Sequence, residues 1–533
     1  MHSVLIVGAG PTGLMMACEL ARYGISFRII DKKAEPTATT NAAGIHARTL
    51  EIFEHIGIVQ QFLAAGNVAD CLEVNSKNTI LVRVPLNTVD SHFKFVLLLP
   101  QSVTEKILNE HLQELNHQVE RMVELTDLKL EDDKVISTVK HPDGHLETIE
   151  TEWVIGCDGY HSTVREKSQI EMHGSDIREA FFVTDARVKT KSSSNVIEAF
   201  FSKGTVVALF PLPDETGKND KFRVVANMKS IEAKKTFTEE EIRSIIHDHT
   251  DGQCEVSEII WSSHFWIHSK MASSLRKERI FIAGDAAHVH SPAGAQGMNT
   301  GIQDVYNLAW KLALVINKKA NSNFLESYQQ ERYPIIHTIV NATYRMSRLA
   351  LTTNPILIAI RNFFIRNITG RSESIKKIMV KYIAQLGWNY RKSPIVDKET
   401  LTRHFMLQPG DLIVDVALED KKHLFDFLNN TQHNLLLFSG PSPSPETQKN
   451  IAATYQWVTQ NTDNLIKVYV VSNDKIELPN IINDVGLAIH RRYNVTKPSM
   501  CLVRPDHYIG LFKEEMTYLT LKKYFDRVGL HFG

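Results

Sequence analysis

Residues 4–32, VLIVGAGPTGLMMACELARYGISFRIIDK, limit what this chain can fold into more than any other stretch. A short β-branched, apolar run over 3–7 leads into Gly8, Gly10 and Gly13 in GxGxxG spacing. Helix-forming residues follow to Tyr23, Gly24 supplies a natural stop, and a second apolar run over 26–30 ends in Asp31. The order strand, turn, helix, strand, acid is that of a Rossmann-like α/β unit that binds a dinucleotide. Gly8 permits the tight turn, Gly10 lets backbone N–H groups approach a pyrophosphate, and Gly13 lets the helix pack closely on the strand. The helix N-terminus stabilises phosphate charge, and Asp31 stands where a parallel strand delivers a carboxylate to a ribose hydroxyl. This motif alone does not separate FAD from NAD.

Composition narrows the ligand class. At 533 residues the chain predicts two to four domains. Its 60 Lys and Arg balance 61 Asp and Glu, so no sequence-wide basic field exists to hold nucleic acid or an anionic membrane. Five scattered cysteines without a CxxC pair argue against a disulfide framework and a zinc site, and predict reduced, intracellular packing residues. No basic leader precedes Val4, and no apolar stretch reaches the roughly 18–20 residues that span a bilayer. A cytoplasmic protein without an integral membrane span is expected. The segment NPILIAIRNFFIRNIT near 360 carries Arg361 and Arg366, and is read as a packed or dimer-contact helix in preference to a membrane-surface one.

Far downstream stands RIFIAGDAAHVHSPAGAQGMNTGIQDVYNLAWKLAL, over 279–314. Residues 279–283 read as a strand ended by Gly284 and Asp285, a Pro/Gly-rich loop follows, and an amphipathic helix starts near Met298. One cofactor must be long enough to touch both this glycine-rich loop and the first. The pattern GDAAH…P.G.QG.N.G..D..NLAWKL resembles the second FAD signature of the single-component, class A flavoprotein monooxygenases. WVIGCDGYHSTVRE, over 153–166, resembles that family's middle DG signature, with Asp158, Gly159, Ser162 and Arg165 in order. Arg48 in IHARTLEIF matches the family's flavin-side arginine, and Gln101 in PQSVTEKIL matches its ribityl-side glutamine.

The resemblance covers roughly the first 340 residues and implies FAD. It places the ADP half over Gly8, Gly10 and Gly13, with Asp31 and the adjoining Lys32 at the ribose, and gives Asp285 a hydrogen bond from a ribityl hydroxyl. The N–H groups of Gly297, Met298 and Asn299 would face the flavin N1–C2=O2 edge. Reduced flavin is negative there, and unsatisfied amides at a helix start are preorganised to stabilise it. Pro292, lacking an N–H, shapes the wall near C4a. The family's usual GGQG is GAQG here, so the Ala295 methyl is expected to narrow the oxygen pocket. No second GxGxxG occurs, so NADH or NADPH would dock transiently, with the DG segment taking part. That segment also reads as a strand end and helix cap, with Ser162 or Thr163 as the cap.

Residues 175–270 alternate as strands and predict an antiparallel sheet that, with part of 70–100, roofs the flavin ring over an apolar cavity. In SSHFWIH, alternation places His264, Trp266 and His268 on one face. If that face looks into the cavity, His264 or His268 could take a phenolic proton; the alternative is solvent-facing or hydrogen-bonded histidines. The pairs His288/His290 and His247/His249 lack further ligands at metal spacing, so no metal is expected. Lys270 stands where the family often has Arg, removing a bidentate group.

The expected organisation is a discontinuous FAD-binding domain (1–70, 100–174 and 270–345), an interleaved β-sheet substrate domain (71–99 and 175–269), and a helical connection (346–392). The last part, 393–533, is an α/β module that resembles the thioredoxin-like domain of phenol-hydroxylase-type members, without CxxC chemistry and with RPDH as a hairpin turn. Its expected role is structural, and compatible with a homodimer. The resemblance implies that NADH or NADPH reduces FAD and O2 forms a flavin C4a-hydroperoxide. One oxygen then passes to an electron-rich phenol-like or polycyclic aromatic ring. Two alternatives stay open: a flavin oxygenase that inactivates or tailors an antibiotic or polyketide, and a non-catalytic FAD-containing scaffold.

Overall fold

The computed structural model describes residues 2–36, 43–202, 204–214, 216–228, 237–292, 294–398, 405–419, 422–428 and 431–531. Two compact units divide the chain: Met1–Cys18, Ser26–Val305 and Ile335–Gly387 form the first, and Glu19–Ile25, Tyr306–Pro334 and Trp388–Gly533 the second.

In the first unit a six-stranded sheet has the order Arg276–Lys277, Ile280–Ile282, Trp153–Gly156, Val4–Val7, Phe27–Asp31, Glu120–Arg121. Every neighbouring pair is parallel except the antiparallel edge at Arg276–Lys277. The strands that lead into the GxGxxG, DG and GD segments therefore lie side by side, with their carboxyl ends aligned. Val4–Val7 and Ile280–Ile282 are buried throughout, as unbroken apolar runs in a parallel sheet must be. Helix Pro11–Arg22 starts on a proline, whose missing N–H costs nothing there. It packs tightly on the turn before it: a methyl group at Gly13 would stand 1.9 Å from the Gly8 carbonyl oxygen.

An eight-stranded sheet in the same unit runs His288–Val289, Glu255–Ala272, Met172–Lys189, Lys221–Met228, Thr205–Pro211, Val196–Ser202, Cys71–Ser76, Thr79–Pro85. It is antiparallel except where Val196–Ser202 meets Cys71–Ser76. Phe182, Phe200, Val207 and Val224 bury one face against Ile242 and Ile246 of helix Glu239–His249. A capping box fixes that helix's start: the Glu241 N–H donates to Thr238 Oγ1, and the Thr238 N–H to the Glu241 carboxylate. Glu255–Ala272 and Met172–Lys189 are each 18 residues long. Their pairing shifts register at three places, including between Ile177 and Ala180. Such bulges bend long strands.

The second unit holds a five-stranded sheet in the order Ile481–Asn483, Ile466–Ser472, His433–Phe438, Ser499–Val503, Ile509–Lys513. The first three strands are parallel and the last two antiparallel. Leu435, Ile451, Val468 and Phe525 share its core with helices Pro445–Asn461 and Tyr518–Val528. RPDH turns between the last two strands, but its charges point inward. Arg504 grips Glu331 at 2.6 and 2.9 Å and Asp506 at 2.9 and 2.5 Å, and all three are buried. Lys311 Nζ donates to Glu331 at 2.6 Å and to Asn307 at 2.8 Å, and the Trp310 ring lies 5.1 Å from the Arg504 guanidinium. Burial alone would raise the Glu331 carboxyl, yet Arg504 and Lys311 hold it well below the usual carboxylate range.

The tail of the NLAWKL motif thus serves this charge cluster. Residues 306–334 fall in the second compact unit. Replacing Arg504 with Met leaves two buried carboxylates facing one lysine. A loss of about 3–5 kcal/mol is expected, read as a lower denaturation midpoint, and an unchanged midpoint would show that the cluster contributes nothing.

Candidate active site

A cavity of about 590 Å³ opens in the first unit where the aligned parallel strands end. Gly8, Gly10, Asp31 and Lys32 from the first motif line it, as do Asp158 from the second and Asp285, Pro292, Gly297 and Met298 from the third. Gln101 joins them from the start of helix Gln101–Glu114, where its amide donates to Glu105 at 2.8 Å. The eight-stranded sheet contributes Phe210, Arg223, Phe265, Trp266 and His268.

Five expected site residues stand outside this lining. Gly13 and Gly284 act by close packing, since a methyl group at Gly284 would lie 2.6 Å from Thr12 Oγ1. Arg48 is buried in helix Ala47–His55 with its guanidinium 3.1 Å from Glu51. Asn299 is a clamp. Its Nδ2 donates to the carbonyls of Gly44 and Ala295 at 2.8 and 2.9 Å, and its Oδ1 accepts the His46 N–H at 3.0 Å. His264 is exposed, with its ring edge-on to Phe237 at 6.5 Å. The pairing of this strand shifts register between Ile177 and Ala180, opposite Trp266 and Ile267. Phe265, Trp266 and His268 reach the cavity and His264 does not.

The carboxylates that line the cavity differ in their partners. Asp31 accepts the Ala9 and Lys33 N–H groups at 2.7 and 2.8 Å. Asp158 accepts from Ser162 Oγ at 2.5 Å and the Val164 N–H at 3.1 Å, while Ser162 itself caps helix Thr163–Lys167. Arg165 then ties the DG and GD segments together, donating to the carbonyls of Ala286 and Tyr160 at 3.0 and 2.9 Å. Asp285 takes no hydrogen bond from any described residue. Its side chain is open to the cavity yet enclosed by protein beyond, and that enclosure pushes its carboxyl up from the usual range.

Histidines frame the loop between them. His288 is buried with Nε2 2.8 Å from Asp304. His290, for which no metal role is expected, lines the cavity. Its Nδ1–H donates to the Ser291 carbonyl at 3.0 Å, burial brings it down to about 4, and its buried Nε2 has no partner among the described residues. No motif points to this residue; the signal available was its position two residues before Pro292. His46, also brought down to about 4 by burial, donates Nε2–H to the Gly294 carbonyl at 2.9 Å. Ala295 has φ 53°, in the left-handed region that disfavours a side chain by about 1 kcal/mol. Its N–H bond to the Pro292 carbonyl at 2.9 Å, with the His46 and Asn299 bonds to its own carbonyl, holds it there. His268 stacks on Tyr160 at 4.6 Å, and Lys270 Nζ reaches the Tyr160 hydroxyl at 3.3 Å. Among the described residues no cluster of three or more His, Cys, Asp or Glu could hold a metal.

These residues fit an extended dinucleotide. A Cβ on Gly10 would meet nothing within 4 Å, so the bare glycine leaves room for a ligand and not for the protein. Asp285 is a carboxylate in want of a hydroxyl donor, and helix Gly297–Ile316 begins at the cavity wall. Residues 1–343 match the FAD binding domain family. The chain is 30% identical over 521 residues to 6-methylpretetramide 4-monooxygenase of Streptomyces rimosus, covering 95% of this chain and 90% of that one. The chain belongs to the FAD-dependent monooxygenases. Pentachlorophenol 4-monooxygenase of Sphingobium chlorophenolicum is 29% identical over 526 residues, or 95% of this chain and 93% of the relative. OxyS anhydrotetracycline hydroxylase from Streptomyces rimosus superposes with a TM-score of 0.75 at 26% identity, over 99% of this chain and 98% of that one. Aklavinone-11 hydroxylase, solved with FAD and aklavinone, shares the fold with a TM-score of 0.77 at 20% identity, over 99% of each chain.

Two consequences for this monooxygenase follow from the loop. His46 and His290 titrate at about 4 when folded against 6.5 when unfolded, so the unfolded state binds more protons between those values. Stability is therefore lost as pH falls from 6.5 towards 4, by on the order of 3 kcal/mol per histidine. His46→Gln should flatten that slope in denaturant titrations, and an unaltered slope would contradict the assignment. Ala295→Gly should raise stability by about 1 kcal/mol, reversing the usual cost of glycine; a lower melting temperature would show that the left-handed conformation carries no strain.

Proposed function

We propose that this monooxygenase hydroxylates an electron-rich, phenol-like aromatic ring, monocyclic or polycyclic, with NADH or NADPH as reductant and O2 as oxidant. Bound FAD supplies hydride acceptance and oxygen activation. The chain's own residues bind, orient and shield. Asp31 receives a ribose hydroxyl, Asp285 receives a ribityl hydroxyl, and the Gly297 and Met298 N–H groups stabilise negative charge on the reduced ring. Pro292 closes the wall without adding a donor. Phe210, Phe265 and Trp266 give the aromatic substrate an apolar seat and exclude water. His268 takes the phenolic proton.

The observation that carries this reading is the single cavity, about 590 Å³, in which residues of all three motifs meet aromatic side chains of the antiparallel sheet. We also infer that the second unit is thioredoxin-like, supported by its three parallel strands, antiparallel hairpin and terminal helix.

The protein reconstituted with FAD should be yellow and should consume NADH or NADPH faster when a substrate is added. The panel should include chlorinated phenols and tetracyclic phenols, with labelled O2 appearing in product. A chain that cannot retain FAD, or retains it and is never reduced, would contradict the reading. Asp285→Ala should weaken FAD binding roughly tenfold to a hundredfold in fluorescence titration. His268→Gln should lower kcat with little change in KM, and an unchanged kcat would mean that the proton goes elsewhere.

A further inference from the structure

Helix Pro355–Phe364 is built inside out. Its one charged side chain, Arg361, is 4% exposed and donates to the carbonyls of Ala350 and Leu349 at 2.8 and 3.3 Å, with its guanidinium 4.8 Å from the Phe201 ring. Its apolar residues face outward: Ile356, Leu357, Ile360, Phe363 and Phe364 are 47–68% exposed. Asn354 caps the helix on the Ile356 and Leu357 N–H groups, so the register that turns these side chains out is fixed from the first turn. The exposed apolar surface continues through Ile368 to Ile375, Ile378 and Tyr382 of helix Glu373–Ile383. More than half of the exposed large hydrophobic side chains among the described residues lie between 346 and 382. A patch of this kind marks an interaction surface. In the single chain this apolar face is open.

Charge selects the occupant. Residues 345–382 carry eight Lys and Arg against one acid, in a chain whose net charge is −1. Arg345, Arg348, Arg366, Arg371, Lys377 and Lys381 are all exposed. A second copy docked through a twofold axis would press this cationic surface against itself. Nucleic acid would satisfy the charge and leave the isoleucine and phenylalanine side chains in water. An anionic bilayer satisfies both, because apolar side chains enter the acyl boundary while Lys and Arg meet the headgroups. No helix among the described residues is long and apolar enough to cross a membrane, so the contact is with its surface.

We propose that residues 346–382 dock the chain on an anionic membrane surface, with helix Pro355–Phe364 lying in the plane of the interface. The inference rests on exposure and charge outside the cavity, and stands or falls independently of the substrate.

The test is sedimentation of the FAD-loaded full chain with two kinds of vesicle, pure phosphatidylcholine and an equimolar mixture with phosphatidylglycerol. The chain should pellet with the mixture, stay in solution with pure phosphatidylcholine, and be released from the mixture by salt. Arg366→Gln with Lys377→Gln should lower the partition coefficient roughly thirtyfold. Phe363→Ser with Phe364→Ser should abolish pelleting while leaving the flavin spectrum unchanged. Absence of pelleting with the mixture, or pelleting of the serine variant equal to the parent, overturns the proposal. So does a dimer in analytical ultracentrifugation that the serine variant dissolves while vesicles fail to bind, which would assign the face to a second copy.

Discussion

The site depends on the alignment of three neighbouring parallel strands, Val4–Val7, Trp153–Gly156 and Ile280–Ile282. Motifs separated by well over a hundred residues follow the carboxyl ends of adjacent strands, so the pairing that closes the sheet also gathers the turns around one cavity. Side-chain size keeps them close. Thr12 fills the space that a Cβ on Gly284 or Gly301 would need, with Oγ1 2.6 and 2.4 Å from those positions. Arg165 adds a hydrogen-bonded tie between the DG and GD segments. The cavity is thus a product of backbone packing before any ligand-facing side chain is considered.

The third motif divides its labour along its length. Its first half, from Asp285 to Met298, lines the cavity. Its middle holds the loop: His288 is paired with Asp304, and Asn299 spans Gly44 and Ala295. The last part, Asn307, Trp310 and Lys311, turns to the buried Glu331 and Arg504 cluster of the second unit. A signature that reads as one cofactor-binding pattern therefore serves ligand, loop and core in succession. Burial of two cations with two carboxylates is tolerable because every charge has an opposite partner within hydrogen-bond distance.

Legibility in the sequence followed the range of the forces involved. Gly8, Gly10, Asp31 and the strands around them are local features, set by turn sterics and apolar runs, and they could be read directly. The cap role of Ser162 was equally local. Arg48 and Asn299 could be assigned by pattern, yet their partners Glu51, Gly44 and Ala295 follow from how helix and loop pack. His268 lines the cavity and His264 does not, a difference set by how far along the strand the cavity reaches, which no alternation within SSHFWIH could reveal. The outward face of helix Pro355–Phe364 was hidden for a related reason. Its apolar residues look like core until Arg361 is seen to take the buried side. The left-handed Ala295 was visible as a departure from glycine, though its φ was not.

The central claim is that one extended FAD occupies the cavity and joins the first motif to the third. A crystal structure of the FAD-loaded chain tests it most directly. The account predicts continuous density with the adenosine ribose at Asp31, the pyrophosphate over Gly10, the ribityl chain at Asp285 and the ring against Pro292 and Met298. Density for FAD that leaves either Asp31 or Asp285 without ligand contact would contradict it.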